Sequence, residues 1–219
     1  MNKWLFLPKS QPVQSLSRRR VVVGGAIAGL TATLGASALK PRPVYASAGD
    51  AASDAAILNN ALFYEHQAIW AYSFAAGKLS MSDVGQVVKA LALKNQADHM
   101  AHRDALAAAV RSLGATPVNA ESSYDVSSYL EKGEGNLDSD VNIAKLALAL
   151  ETDAAIAYTT EVAQLKNPSL VTAGASIGSN EASHATAIRA AFVFLGVDIP
   201  LVPSAFVSAD TRESWILTV

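Results

Sequence analysis

The sequence predicts an all-α protein, a four-helix bundle with a long crossover between its second and third helices and an extended C-terminal tail. Three observations carry this. After residue 48, apolar residues recur at three- and four-residue steps, the helical period, in four long segments, and no strand pattern interrupts them. The first two segments are joined by only a few residues, as are the last two, so each pair should form an antiparallel hairpin. A polar pattern is also stated twice. Glu65-x6-Tyr72 is followed by His99-x2-His102, and Glu151-x6-Tyr158 by Glu181-x2-His184.

Taken in order, the first helix is expected from about Ser53 to Ala76, with Leu58, Leu62, Glu65, Ile69 and Tyr72 on one stripe. The second, from about Ser82 to Leu113, aligns Val84, Val88, Leu91, His99, His102, Leu106 and Val110. A crossover of about 26 residues, Gly114 to Ser139, should run along the bundle, with a short helical turn around Ser127 to Leu130. The third helix starts near Asp140, read as its N-cap, and places Ala144, Leu148, Glu151, Ala155, Tyr158, Val162 and Leu165 together. Asn167-Pro168 opens the fourth, a cap followed by proline at the first helical position, and Ile177, Glu181, His184, Ile188, Phe192 and Leu195 share its stripe. Beyond Gly196, a tail containing Pro200, Pro203 and Trp215-Ile216-Leu217 should be extended, packed on the outside or on another subunit, which would make a homo-oligomer.

The first 48 residues are a different kind of sequence. They hold 7 of the 17 Lys and Arg and none of the 19 acidic residues. Ser17-Arg18-Arg19-Arg20-Val21-Val22 resembles the twin-arginine export signal, and it precedes an uncharged stretch from Val21 to Leu39. Ala46-Ser47-Ala48 reads as a small-x-small cleavage site. Residues 1–48 are therefore expected to be a signal peptide recognised by the twin-arginine machinery, and 49–219 a bundle domain in the periplasm or another exported compartment. The competing reading, a retained membrane anchor, suits a stretch of this length, but its Gly and Ala content makes it weakly hydrophobic. No stable anchor is expected after cleavage.

Removing the signal leaves about 10 basic against 19 acidic side chains. Phosphate binding needs a basic surface, so nucleic acid is not an expected partner. With no Cys, the sequence offers no disulfide, thiolate ligand or cysteine nucleophile.

A solvated helix face carries its Glu and His outside the apolar stripe. Here Glu65, His99, His102, Glu151, Glu181 and His184 lie within it. Residues seven apart share a face, and residues three apart are neighbours, so each half of the chain offers one carboxylate and one pair of donors to a common centre. Burying such groups unpartnered costs several kcal/mol each. A metal centre satisfies them together, and oxygen and imidazole donors without sulfur suit iron or manganese, with zinc possible on the same chemistry.

These motifs resemble those of the ferritin-like superfamily, in the rubrerythrin and bacterioferritin style, over about residues 53 to 195. The resemblance implies two transition-metal ions, Glu65 and His102 on one, Glu151 and His184 on the other, and Glu181 bridging. It places Tyr72 and Tyr158 near the ions, bonded to carboxylates or acting as redox-active neighbours. The chain departs from the family pattern at His99, where a second bridging Glu is expected. Three readings follow: His99 is a terminal ligand of an asymmetric pair, which we favour; Asp98, four residues from His102, supplies the oxygen; or one ion is held. His66, Asp104 and Asp153 lie off the stripes and read as surface or supporting groups.

The function expected on this basis is that of a di-metal oxidoreductase reacting with dioxygen or hydrogen peroxide and drawing electrons from an external reductant. The alternatives are a non-catalytic envelope or stress protein acting by binding, and iron handling.

Overall fold

The computed structural model describes residues 47–219, so the expected signal over residues 1–48, apart from Ser47 and Ala48, lies outside the described residues. Among those described, the chain is all helical, without strands: α1 (Ala48–Ala76), α2 (Asp83–Ser112), α3 (Ser127–Glu131), α4 (Asp140–Val162), α5 (Pro168–Phe194), a 3-10 turn (Ala209–Thr211) and α6 (Arg212–Trp215). None of these helices is long and apolar enough to cross a membrane.

Local chemistry sets the helix ends. α1 begins about five residues earlier than the periodicity suggested, because Ser47 and Asp50 form a reciprocal capping box. Ser82 caps α2 by accepting from the Gly85 N–H. The cap of α4 is Ser139, not Asp140 as expected from the sequence. Asp140 instead accepts hydrogen bonds from the Ser80 N–H and from the hydroxyls of Ser80 and Ser82, tying the α1–α2 turn to the start of α4. Asn167 and Pro168 open α5 as expected. Gly196 ends it at φ 92°, where a side chain would be strained, and the Val197 N–H turns back to the Phe192 carbonyl at 3.0 Å.

The closest partnerships are the two hairpins, α1 with α2 and α4 with α5. One apolar cluster gathers Leu58 and Leu62 of α1, Leu106 and Val110 of α2, Tyr158 of α4, and Leu170 and Ile177 of α5. A second gathers Val88 of α2, Ala144 and Leu148 of α4, Ile188 and Phe192 of α5, and Trp215. The order of these residues along each helix gives the topology. α1 and α5 run from the first cluster towards the second, α2 and α4 run back, and the crossover returns the chain along the bundle. Gly135 lets it pass close to α4, since a Cβ there would fall 2.3 Å from the Leu146 nitrogen.

The tail runs without helix or strand over residues 197–208, as expected, but its end folds into the 3-10 turn and α6. Trp215 is buried in the second cluster with Leu217 packed against it, and Ile216 is buried as well. Two arginines hold the segment. The buried Arg189 donates to the carbonyls of Pro200 and Trp215, while Arg212 donates to Glu134 and Asp153. Buried guanidinium groups need such partners, and backbone carbonyls and carboxylates supply them here. Leu195, expected on the α5 stripe, is exposed because the helix ends at Phe194.

Candidate metal centre

Between the two apolar clusters, halfway along the bundle, the stripes converge. Glu65, His99, Glu151, Glu181 and His184 are buried, and His102 is nearly so, with 14% of its side chain exposed. They form two groups of four whose donor atoms lie within 4.8 Å of one another: Glu65, His99, His102 and Glu181, and His99, Glu151, Glu181 and His184. Glu181 and His99 belong to both.

The distances show how the halves interlock. His102 Nδ1 lies 2.9 Å from Glu181 Oε1 and 3.6 Å from Glu65 Oε2. His184 Nδ1 lies 3.1 Å from Glu181 Oε2 and 3.2 Å from Glu151 Oε2. His99 spans the cluster, with Nδ1 2.7 Å from Glu65 Oε2 and Nε2 3.2 Å from Glu151 Oε1. Asp98 stands outside both groups. It pairs with Lys94 and lies 3.2 Å from the far nitrogen of His184, where it orients that ring.

The two tyrosines cross between helices. Tyr72 of α1 donates to Glu151 of α4, and Tyr158 of α4 donates to Glu65 of α1. Asn95, a buried residue not singled out from the sequence, donates to the Tyr72 hydroxyl at 3.0 Å and to Glu151 at 3.3 Å. Its signal was its place on the α2 stripe, one turn before His99. His66 is near the surface beside the Val118 carbonyl, and Asp104 is exposed beside Arg103. Asp153 binds Arg212 and Tyr129 rather than the cluster.

Charge and burial oppose each other throughout. Burial favours the uncharged forms, but the partners win. His102 and His99 hold the Glu65 carboxyl down at about 2. The carboxylates raise His102 to about 9 and His184 to about 12, and they carry His99 well above the usual imidazole range. Burial, then the facing carboxylates, push both tyrosines well up, so they remain neutral donors.

One of these ion pairs lacks hydrogen-bond geometry. His102 Nδ1 and Glu181 Oε1 are buried and face each other at 2.9 Å, yet neither makes a well-formed hydrogen bond. Buried polar atoms are seldom left so. A cation between a carboxylate oxygen and a neutral imidazole nitrogen would satisfy both, and the surrounding oxygen and nitrogen donors suit a transition-metal ion.

Comparison with known proteins agrees with the fold. The chain is similar in structure to a conserved hypothetical protein from Mycobacterium tuberculosis, with a TM-score of 0.56 and 23% identity over 72% of this chain and 99% of that one. No curated protein matches it. The family model described as a ferritin-like domain matches residues 53–193, the span from early α1 to the end of α5 that carries all six ligand-type residues. This chain belongs to the ferritin-like domain family.

Proposed function

We propose that the chain is an exported metalloprotein whose buried cluster holds iron or manganese ions and supports redox chemistry with dioxygen or hydrogen peroxide. The observation that carries this reading is the orphaned pair, His102 Nδ1 and Glu181 Oε1, inside a cluster of three carboxylates and three imidazoles. Glu65 and His102 would hold one ion, Glu151 and His184 the other, with Glu181 between them and His99 as a further ligand. When bound, such a metal supplies one-electron steps between oxidant and reductant.

The chain's own groups set the conditions for that chemistry. Tyr72 and Tyr158 fix Glu151 and Glu65 through their hydroxyls, and Asn95 supports the first pair. Asp98 orients His184 from outside. Apolar clusters pack above and below the centre. The chain has no Cys to hold an iron–sulfur group, so the reductant is external. Export rests on Arg18, Arg19 and the stretch that follows them.

A second reading is a non-catalytic binding protein. The contacts of His99 with both Glu65 and Glu151 favour it, because a cationic imidazole between carboxylates partly balances the cluster without a metal. Elemental analysis of protein recovered from its exporting host decides between them. One to two iron or manganese ions per chain are expected, whereas a stable, metal-free product would overturn the redox reading.

A further inference from the structure

We propose that the cleft between α1 and α4 binds a small, uncharged, mainly apolar molecule of one or two aromatic rings, with its polar end against Tyr72 and Glu151. The space originates in the sequence. On α1, Tyr72 is flanked by Ala68, Ala71 and Ala75; on α4, Glu151 is flanked by Ala147, Ala154 and Ala157. Ala68 and Ala75 lie four and three residues from Tyr72, and Ala147 and Ala154 four and three from Glu151, on the same helix faces, while Ala71 and Ala157 line the cleft beside them. Alanine opposite alanine leaves room where larger side chains would interdigitate, and a cavity of about 290 Å³ results. That volume lies near the lower end of the range for small-molecule sites, about 300 Å³.

The counterpart position in the other half of the repeat is lined by larger side chains. There Tyr158, which donates to Glu65, packs in the cluster with Leu58, Leu62, Leu106 and Ile177.

The lining selects the ligand. Its floor reaches Tyr72, His99 and Glu151, while the crossover covers it with Val126, Tyr129 and Leu137. Trp70 and Phe74 stand at the mouth, stacked with their centroids 5.1 Å apart and planes 8° from parallel. Aromatic rings and alanine methyl groups reward apolar, planar surface. A charged guest would lose its hydration without a free counter-charge, because Asp153 is engaged by Arg212 and Glu151 by the histidines. A protein segment long enough to form its own secondary structure would not fit a cavity of this volume. That the guest is a substrate presented to the cluster rests on the metalloprotein reading; its binding does not.

Titration of the metal-free and metal-loaded chain with 2-naphthol, followed by calorimetry, tests the assignment. Saturable binding of one molecule per chain is expected in both forms. Ala154→Leu, which fills the cleft, should weaken it by at least about tenfold with helicity and metal content unchanged. If that variant does not fold, Ala71→Val is measured in its place, with the same direction expected. Absence of saturable binding up to about 1 mM, or equal binding by a folded, filled variant, overturns the proposal. Loss of self-association in the filled variant, with no 2-naphthol binding by the parent, would assign the cleft to a second copy and overturn it as well. A chain that binds 2-naphthol but no metal would refute only the redox reading.

Discussion

Metal uptake by the cluster should expel protons, in a number that reports the role of His99. Imidazole ligates only when neutral. In protein stripped of metal, the carboxylates keep His102 protonated up to about 9 and His184 up to about 12, and they hold His99 well above the ordinary value. The sign follows from these raised values: below about pH 9 all three rings are cations, and metal affinity rises with pH towards that limit. At pH 7, freeing His102 alone works against binding by about 3 kcal/mol, two units at about 1.4 kcal/mol each. Glu65, held at about 2, is already ionised and releases nothing. Each imidazole that must deprotonate adds about one to the slope of log affinity against pH. Filling the whole cluster should therefore release about three protons if His99 ligates, and about two if only His102 and His184 do. Calorimetry with Mn²⁺ or Zn²⁺ in buffers of different ionisation enthalpy, between about pH 6 and 8, counts them. His99→Ala should lower the count by about one and weaken one subsite by about tenfold or more, while His99→Glu should restore two similar subsites. Binding without proton release and independent of pH would refute both the protonation states and the ligand assignment.

Further outcomes are expected elsewhere in the chain. Tyr72→Phe removes a donor to Glu151 and an acceptor for Asn95, and should cost about 1–3 kcal/mol in denaturant unfolding of the metal-free protein, with helicity retained. Arg212→Met leaves Glu134 unpaired and Asp153 with only the Tyr129 hydroxyl, and at neutral pH should cost about 3 kcal/mol and expose Trp215, read as a red-shifted fluorescence maximum. Because Arg212 depresses the Glu134 carboxyl, its stabilisation is complete above the ordinary carboxylate value of about 4 and is lost as pH falls through the lowered one. The variant's deficit should shrink there in acid melts. Asp54→Ala deprives the Lys166 and Asn167 N–H groups of their acceptor and should lower the melting temperature by an amount equivalent to about 2 kcal/mol. Replacing Arg18 and Arg19 by Lys should retain the precursor in the cytoplasm on cell fractionation; normal export would show that the segment was misread.

The sequence by itself determined the four long helices, their hairpin pairing and the six ligand-type residues. A helix of known period fixes which side chains share a face, and charged groups on an apolar face are costly enough to be conspicuous. Periodicity gives the rotational phase of one helix, not its height or angle against another. Only the tertiary structure could therefore decide that Tyr72 reaches Glu151 and Tyr158 reaches Glu65, that His99 lies between both carboxylates, and that Asp98 stands behind His184 rather than beside His102. Asp54 shows the same limit. It anchors a turn 112 residues away through backbone N–H groups, which leave no side-chain signature in sequence. The tail read as extended because its prolines break helical periodicity, but Arg189 and Arg212 fold its end back onto the bundle. The cleft beside Glu151 escaped notice for a related reason. Six alanines satisfy an apolar pattern as well as six leucines would, and only the distance between two packed helices shows that they leave space.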